Sequence, residues 1–107
     1  MILVQFEISG GAVQGFITAT GQSAMRVAKN NEVPGILANC GGNMGCGTCH
    51  VWVDEEFYSL LPEPSDAELA KLEEVAAERK PNSRLSCQVL LTEELDGIRF
   101  VVPERQE

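Results

Sequence analysis

Hydrophobic and polar residues alternate along the start of the chain, and the run Ile2 to Ile8 is rich in strand-forming side chains. Ser9-Gly10-Gly11 has turn chemistry, so Gln14 to Ala19 reads as the returning strand of a hairpin. The period then changes. Thr20-Gly21-Gln22-Ser23 supplies stop and cap residues, and SAMRVAKNN, from Ser23 to Asn31, predicts a short helix with Met25 and Ala28 facing inward. Pro34-Gly35 ends it. His50 to Val53 predicts a short strand, and Glu56 to Leu61 a helical turn broken by Pro62 and Pro64. Ser65-Asp66-Ala67-Glu68 has the form of a capping box. It opens a helix running to about Glu78, with Leu69, Leu72 and Val75 inward and Glu68, Lys71, Glu73, Glu74 and Glu78 outward. Gln88 to Leu91 and Ile98 to Val102 predict closing strands, with a loop or single turn from Thr92 to Gly97 between them. Neither repeat nor linker interrupts the pattern, so residues 1–107 are expected to form one α+β domain. A mixed sheet would carry a short helix and a longer acidic helix.

Composition narrows the setting. Hydrophobic residues make up 44% of the chain, an ordinary globular share, and none of their runs approaches the roughly 18 residues of a membrane span. The opening MILVQFEISGG has no basic n-region, so a signal peptide is not expected. Four cysteines without such a signal favour metal binding in a reducing compartment over a disulfide framework, and the expected location is the cytoplasm. The formal charge of −8 is concentrated: nine acidic residues and one basic residue, Lys71, lie between Asp54 and Glu78. Elsewhere the signs balance. Such a field repels nucleic acid and attracts a basic protein surface. No triad, paired general acid and base, or phosphate loop with its lysine is present, so catalysis by the chain alone is not expected.

The chemistry gathers in CGGNMGCGTC. Cys40, Cys46 and Cys49 have the spacing C-x5-C-x2-C, and Cys87 follows at a distance. Thiolates are the natural ligands of iron in a sulfide cluster, and four complete a two-iron site. Gly41, Gly42, Gly45 and Gly47 let the backbone turn its N–H groups toward anionic sulfur at close range. A four-cysteine zinc site is the duller alternative, giving a structural interaction module. It prefers short C-x2-4-C pairs in both halves, and the second half here is one cysteine. A thioredoxin-like pair at Cys46-Gly47-Thr48-Cys49 would leave Cys40 and Cys87 unexplained. A Rieske arrangement needs two histidines, and His50 is the only one in the chain.

The x5 first gap, CGGNMGCGTCHVWV around the first three cysteines and PNSRLSCQVLLTEELDGIRFVVPERQ around the fourth resemble the adrenodoxin-type 2Fe-2S ferredoxins, most nearly putidaredoxin-like bacterial carriers. The resemblance covers essentially the whole chain. It implies the β-grasp ferredoxin fold, a 2Fe-2S cluster on Cys40, Cys46, Cys49 and Cys87, and a monomeric one-electron carrier. Cys40 and Cys46 would hold the outer iron, Cys49 and Cys87 the inner one. His50 would bond to backbone near the fourth cysteine. The implied partners are an FAD-containing, NAD(P)H-dependent ferredoxin reductase and a cytochrome P-450 class monooxygenase, with supply of electrons for iron–sulfur cluster assembly as the alternative pathway. Asp66, Glu68, Glu73 and Glu74 are the implied docking acids. Two positions depart from the putidaredoxin-like pattern: Asn39 replaces an acidic residue, and Gln106-Glu107 ends the chain where an aromatic would stand. Both bear on partner choice, and Asn39 is retained as a docking candidate for that reason.

Overall fold

The computed structural model describes residues 1–8, 11–34, 50–75 and 78–103. Strand β1 (Ile2–Glu7) turns back into β2 (Val13–Thr18), antiparallel, with Val4 opposite Phe16. Helix α1 (Ala24–Asn30) follows, then β3 (His50–Val53), the single-turn α2 (Glu55–Tyr58), α3 (Asp66–Leu72), β4 (Ser83–Leu85) and β5 (Ile98–Val101). The five strands form one mixed sheet in the order β2-β1-β5-β3-β4. β5 runs parallel to β1 in its centre, and β3 and β4 extend it antiparallel.

Alternation puts Ile2, Val4 and Phe6 of β1 on one face with Ile98 and Phe100 of β5, all buried. Phe6 and Phe100, paired across the two strands, stack with centroids 5.5 Å apart. Val51 and Val53 extend the same buried layer, and α1 closes it with Ala24, Met25, Val27 and Ala28. Two of these four are the expected Met25 and Ala28. Ser23 caps the helix, its hydroxyl accepting from the Arg26 N–H at 3.1 Å.

Two elements differ from expectation. α3 stops at Leu72 instead of Glu78, and its last turn tightens, with the Glu73 and Glu74 N–H groups reaching back three residues to Ala70 and Lys71. Consecutive carboxylates there oppose the negative end of the helix dipole. Within α3, Leu72 is buried, but Leu69 is 37% exposed instead of facing the core. The closing strand before β5 lies at Ser83–Leu85 instead of Gln88 to Leu91. Ser86–Gln88 is a 3-10 turn, and the extended residues beyond it pair with the start of α1: the Ala24 N–H donates to the Val89 carbonyl and the Leu91 N–H to that of Gln22.

The loop before β5 contains a 3-10 turn, Glu93–Leu95, and ends at Gly97 with φ +92°. The Gly97 N–H donates to the Leu3 carbonyl at 2.8 Å, and its own carbonyl accepts from Gln5 Nε2, so this backbone geometry sets β5 beside β1. A Cβ there would sit 3.7 Å from Phe57, an ordinary contact, so the obstacle is the dihedral and not space. Gly97→Ala is therefore expected to lower stability by about 1–2 kcal/mol, the cost of a left-handed residue, without loss of fold. Urea unfolding would measure it.

No helix among the described residues is long and apolar enough to cross a membrane.

Candidate metal centre

Cys40, Cys46, Cys49 and the neighbouring Asn39 lie outside the described residues, as does the C-terminal Gln106-Glu107. Cys87 is the cysteine whose setting is visible. It sits in the middle of the 3-10 turn Ser86–Gln88, half-buried, with its sulfur 3.6 Å from Gln88 Nε2. The turn is fixed from both sides. Before it, Leu85 closes β4 in register with His50 of β3. After it, Val89 to Leu91 are tied to the start of α1.

His50 follows Cys49 directly in sequence, so the third cysteine is one residue from the strand end at which β4 releases the chain toward Cys87. Thirty-seven residues of chain separate these two cysteines, and sheet pairing brings the residues beside them together. The donor chemistry fits an iron–sulfur cluster: a half-buried thiol on a short turn at the sheet end where the triple-cysteine segment joins the sheet. Among the described residues alone, no three His, Cys, Asp or Glu side chains gather as a separate metal site.

His50 is fully buried in a structural role. Its Nε2 lies 2.8 Å from Ser83 Oγ, and its ring meets Trp52 edge to face at 5.8 Å. Ser83 Oγ also accepts from the Lys80 N–H, which ties the chain entering β4 to β3. The contact expected for His50 was with backbone near the fourth cysteine; the one seen here runs to a side chain four residues before it. Burial lowers the ring's pKa to about 4, so it is neutral near pH 7. Trp52 donates from Nε1 to the Glu78 carbonyl and lies under the Lys80 ammonium, 4.1 Å from the ring centroid.

The acidic segment divides. Asp66, Glu73 and Glu74 are exposed, together with Glu55, Glu56, Glu63 and Glu78. Glu74 lies 3.5 Å from Lys71 and Glu73 4.0 Å from Arg79, contacts that water screens heavily. Glu68 does not belong with them. It is 1% exposed and accepts from Arg84 in a two-pronged pair, Nε to Oε2 at 2.7 Å and Nη2 to Oε1 at 3.1 Å. The Leu85 N–H adds a third bond to Oε2 at 2.9 Å. A docking role for Glu68 is thus corrected: its carboxylate is consumed inside the protein. Only half of the capping box forms, because Ser65 Oγ accepts from the Glu68 N–H while the Glu68 side chain turns to Arg84. Sequence reasoning passed over Arg84. The available signal was an arginine set between Ser83 and Leu85, in the stretch leading to the fourth cysteine, with the acid of a helix N-terminus available to meet it.

Residues 12–92 match the family of 2Fe-2S iron-sulfur cluster binding domains. Putidaredoxin of Pseudomonas putida is 49% identical over 88 residues, 82% of this chain and 82% of its own. The crystal structure of a reduced cysteine-to-serine variant of putidaredoxin from Pseudomonas putida matches with a TM-score of 0.95 at 43% identity, covering 98% of this chain and 99% of that one. A chain of the covalent putidaredoxin reductase–putidaredoxin complex matches with a TM-score of 0.93 at 44% identity, covering 96% and 99%.

Proposed function

The chain belongs to the 2Fe-2S cluster-binding ferredoxin family, with a putidaredoxin-type fold, and from this we propose that it carries single electrons from a flavin-containing ferredoxin reductase to a cytochrome P-450 class monooxygenase. It is a 2Fe-2S electron carrier and not an enzyme. Cys40, Cys46, Cys49 and Cys87 would hold the cluster, which supplies a one-electron couple when bound. The observation that carries the assignment of Cys87 is its half-buried thiol on a fixed turn, beside the strand that Cys49 leads into. Buried His50 and Ser83 clamp β3 to β4 and so hold the two strand ends together. Thiolate ligands suit the reducing cytoplasm, and a monomer leaves every face open to partners.

The reductase is proposed because a putidaredoxin chain bound to putidaredoxin reductase shares this fold at 44% identity. Exposed Asp66, Glu73 and Glu74 would meet a basic partner surface, and charge of this kind mainly raises the association rate. Reversing Glu73 and Glu74 to Lys is expected to slow reduction by putidaredoxin reductase about tenfold at low ionic strength, with little difference left at high salt. Stopped-flow reduction across a salt series tests it; equal rates at low salt would remove the docking role. For the oxygenase, the reduced protein is mixed with ferric haem-thiolate enzymes and haem reduction is timed. Failure to reduce any of them, alongside reduction of cluster-assembly proteins, would move the carrier to the alternative pathway.

A further inference from the structure

We propose that Glu68 and Arg84 are positioning residues for electron transfer: their buried pair fixes the acidic helix, and the partner docked on it, relative to the turn that carries Cys87. The claim rests on the docking reading of α3 given above. Three segments meet at this one pair. Glu68 lies in the first turn of α3, where Ser65 caps its N–H. Arg84 is the middle residue of β4, and its Nη1 donates to the Pro62 carbonyl at 2.8 Å, which holds the loop leading into α3. Oε2 then accepts from the N–H of Leu85, two residues before Cys87. The Glu68 and Arg84 side chains are 2% and 4% exposed. No swivel of α3 can keep all these bonds, because a planar guanidinium and a carboxylate meet in two parallel contacts only at one orientation.

Function gives this rigidity its use. Exposed Asp66, Glu73 and Glu74 all sit on α3 or its C-terminal turn, so the orientation of α3 decides where a basic partner rests. Transfer falls steeply with the gap between redox centres. A partner steered by a loosely held helix would bind about as well and rest in many poses, few of them productive. The pair lets a helix chosen for its charge also act as a gauge of distance. Its own two charges cancel, so it adds nothing to steering.

The test compares Glu68→Asp with Glu73→Gln in the cluster-loaded protein. Asp keeps the charge but is one methylene too short to hold Arg84 and the Leu85 N–H together; Gln removes one exposed charge and no internal contact. With putidaredoxin reductase as the probe, Glu68→Asp is expected to lower the rate at saturation about tenfold while KM and the salt slope stay near wild type. Glu73→Gln is expected to raise KM and flatten the salt slope with the saturated rate unchanged. A Glu68→Asp protein that only melts earlier, or that behaves like Glu73→Gln, overturns the proposal. If wild type is not reduced by this enzyme, the partner reading fails by itself. The positioning claim is then judged by amide hydrogen exchange: Glu68→Asp should speed exchange in α3 and at Leu85 to Gln88 together, and exchange raised in α3 alone overturns it. Arg84→Lys, which keeps the charge and gives up the fork, serves in the same assays if Glu68→Asp does not fold.

Discussion

Cys87→Ala protein is expected to be purified without the visible absorption of a 2Fe-2S centre, holding less than about a tenth of the wild-type iron and acid-labile sulfide. A methyl group has no electron pair to offer iron, and a two-iron site needs four ligands. Among the described residues, no neighbour can stand in for the thiol. His50 is buried and already engaged with Ser83, and Gln88, next along the turn, carries an amide, a poor ligand for iron in a sulfide cluster. The loss should reach beyond colour. Three of the proposed ligands come from a single segment and the fourth from beyond the end of the neighbouring strand, so a bound cluster cross-links residues 40–49 to the turn after β4. Because the unfolded chain offers no formed site, the free energy of binding is also free energy of folding. Apoprotein and the Cys87→Ala variant should therefore melt together, both well below the loaded wild type. Absorption, metal and sulfide assays and a thermal melt decide the matter. A variant with a normal spectrum would remove Cys87 from the ligand set.

What the chain disclosed in advance follows from how local each signal is. β1, α1, β3 and β5 fell within a residue or two of expectation because each carries its own pattern: strict alternation in Ile2 to Glu7, a serine cap ahead of Ala24, buried valines after His50. The sulfur ligands were legible because their spacing and glycines are chemistry written in one short stretch. β4 was not legible, since it is built on Ser83 and Arg84, polar residues whose burial is made possible by partners 33 and 16 positions away, His50 and Glu68. A hydropathy pattern places such residues at the surface. It therefore shifted the strand onto the more apolar Gln88 to Leu91, which here pairs with the start of α1 instead of entering the sheet. The same blindness misplaced Glu68. By helical spacing it shares the inner face with Leu72, four residues on, but its charge counted it among the exposed acids, and the partner that lets it stay buried, Arg84, lies in another strand. Charge that is buried in pairs is invisible to any count of charge along the chain.

Arg84→Met tests that pairing where its energetic effect is largest. Methionine matches the length of the arginine stem but leaves the Glu68 carboxylate, 1% exposed, facing no cation. Removing one partner of a buried pair typically costs about 3–5 kcal/mol, because the remaining charge stays desolvated without compensation. In a domain of this size that corresponds to a fall in melting temperature of roughly 15–25 °C. It should be measured at matched cluster occupancy so that metal loss does not enter. Replacing Glu68 by Met as well should restore much of the loss, since no charge is then stranded. Recovery should stop about 1–3 kcal/mol short of wild type, because the Leu85 N–H, now donating to Glu68 Oε2 at 2.9 Å, would lose its acceptor and the Pro62 carbonyl would lose the Arg84 Nη1 donor. The double-mutant cycle separates the contributions: the coupling term reports the charge pair, and the residual deficit reports the backbone bonds that the two side chains make at Leu85 and Pro62. A single variant within about 1 kcal/mol of wild type would mean that solvent reaches the carboxylate, and that the pair is neither as buried nor as rigid as the bonds from Arg84 to Glu68 and Pro62 require.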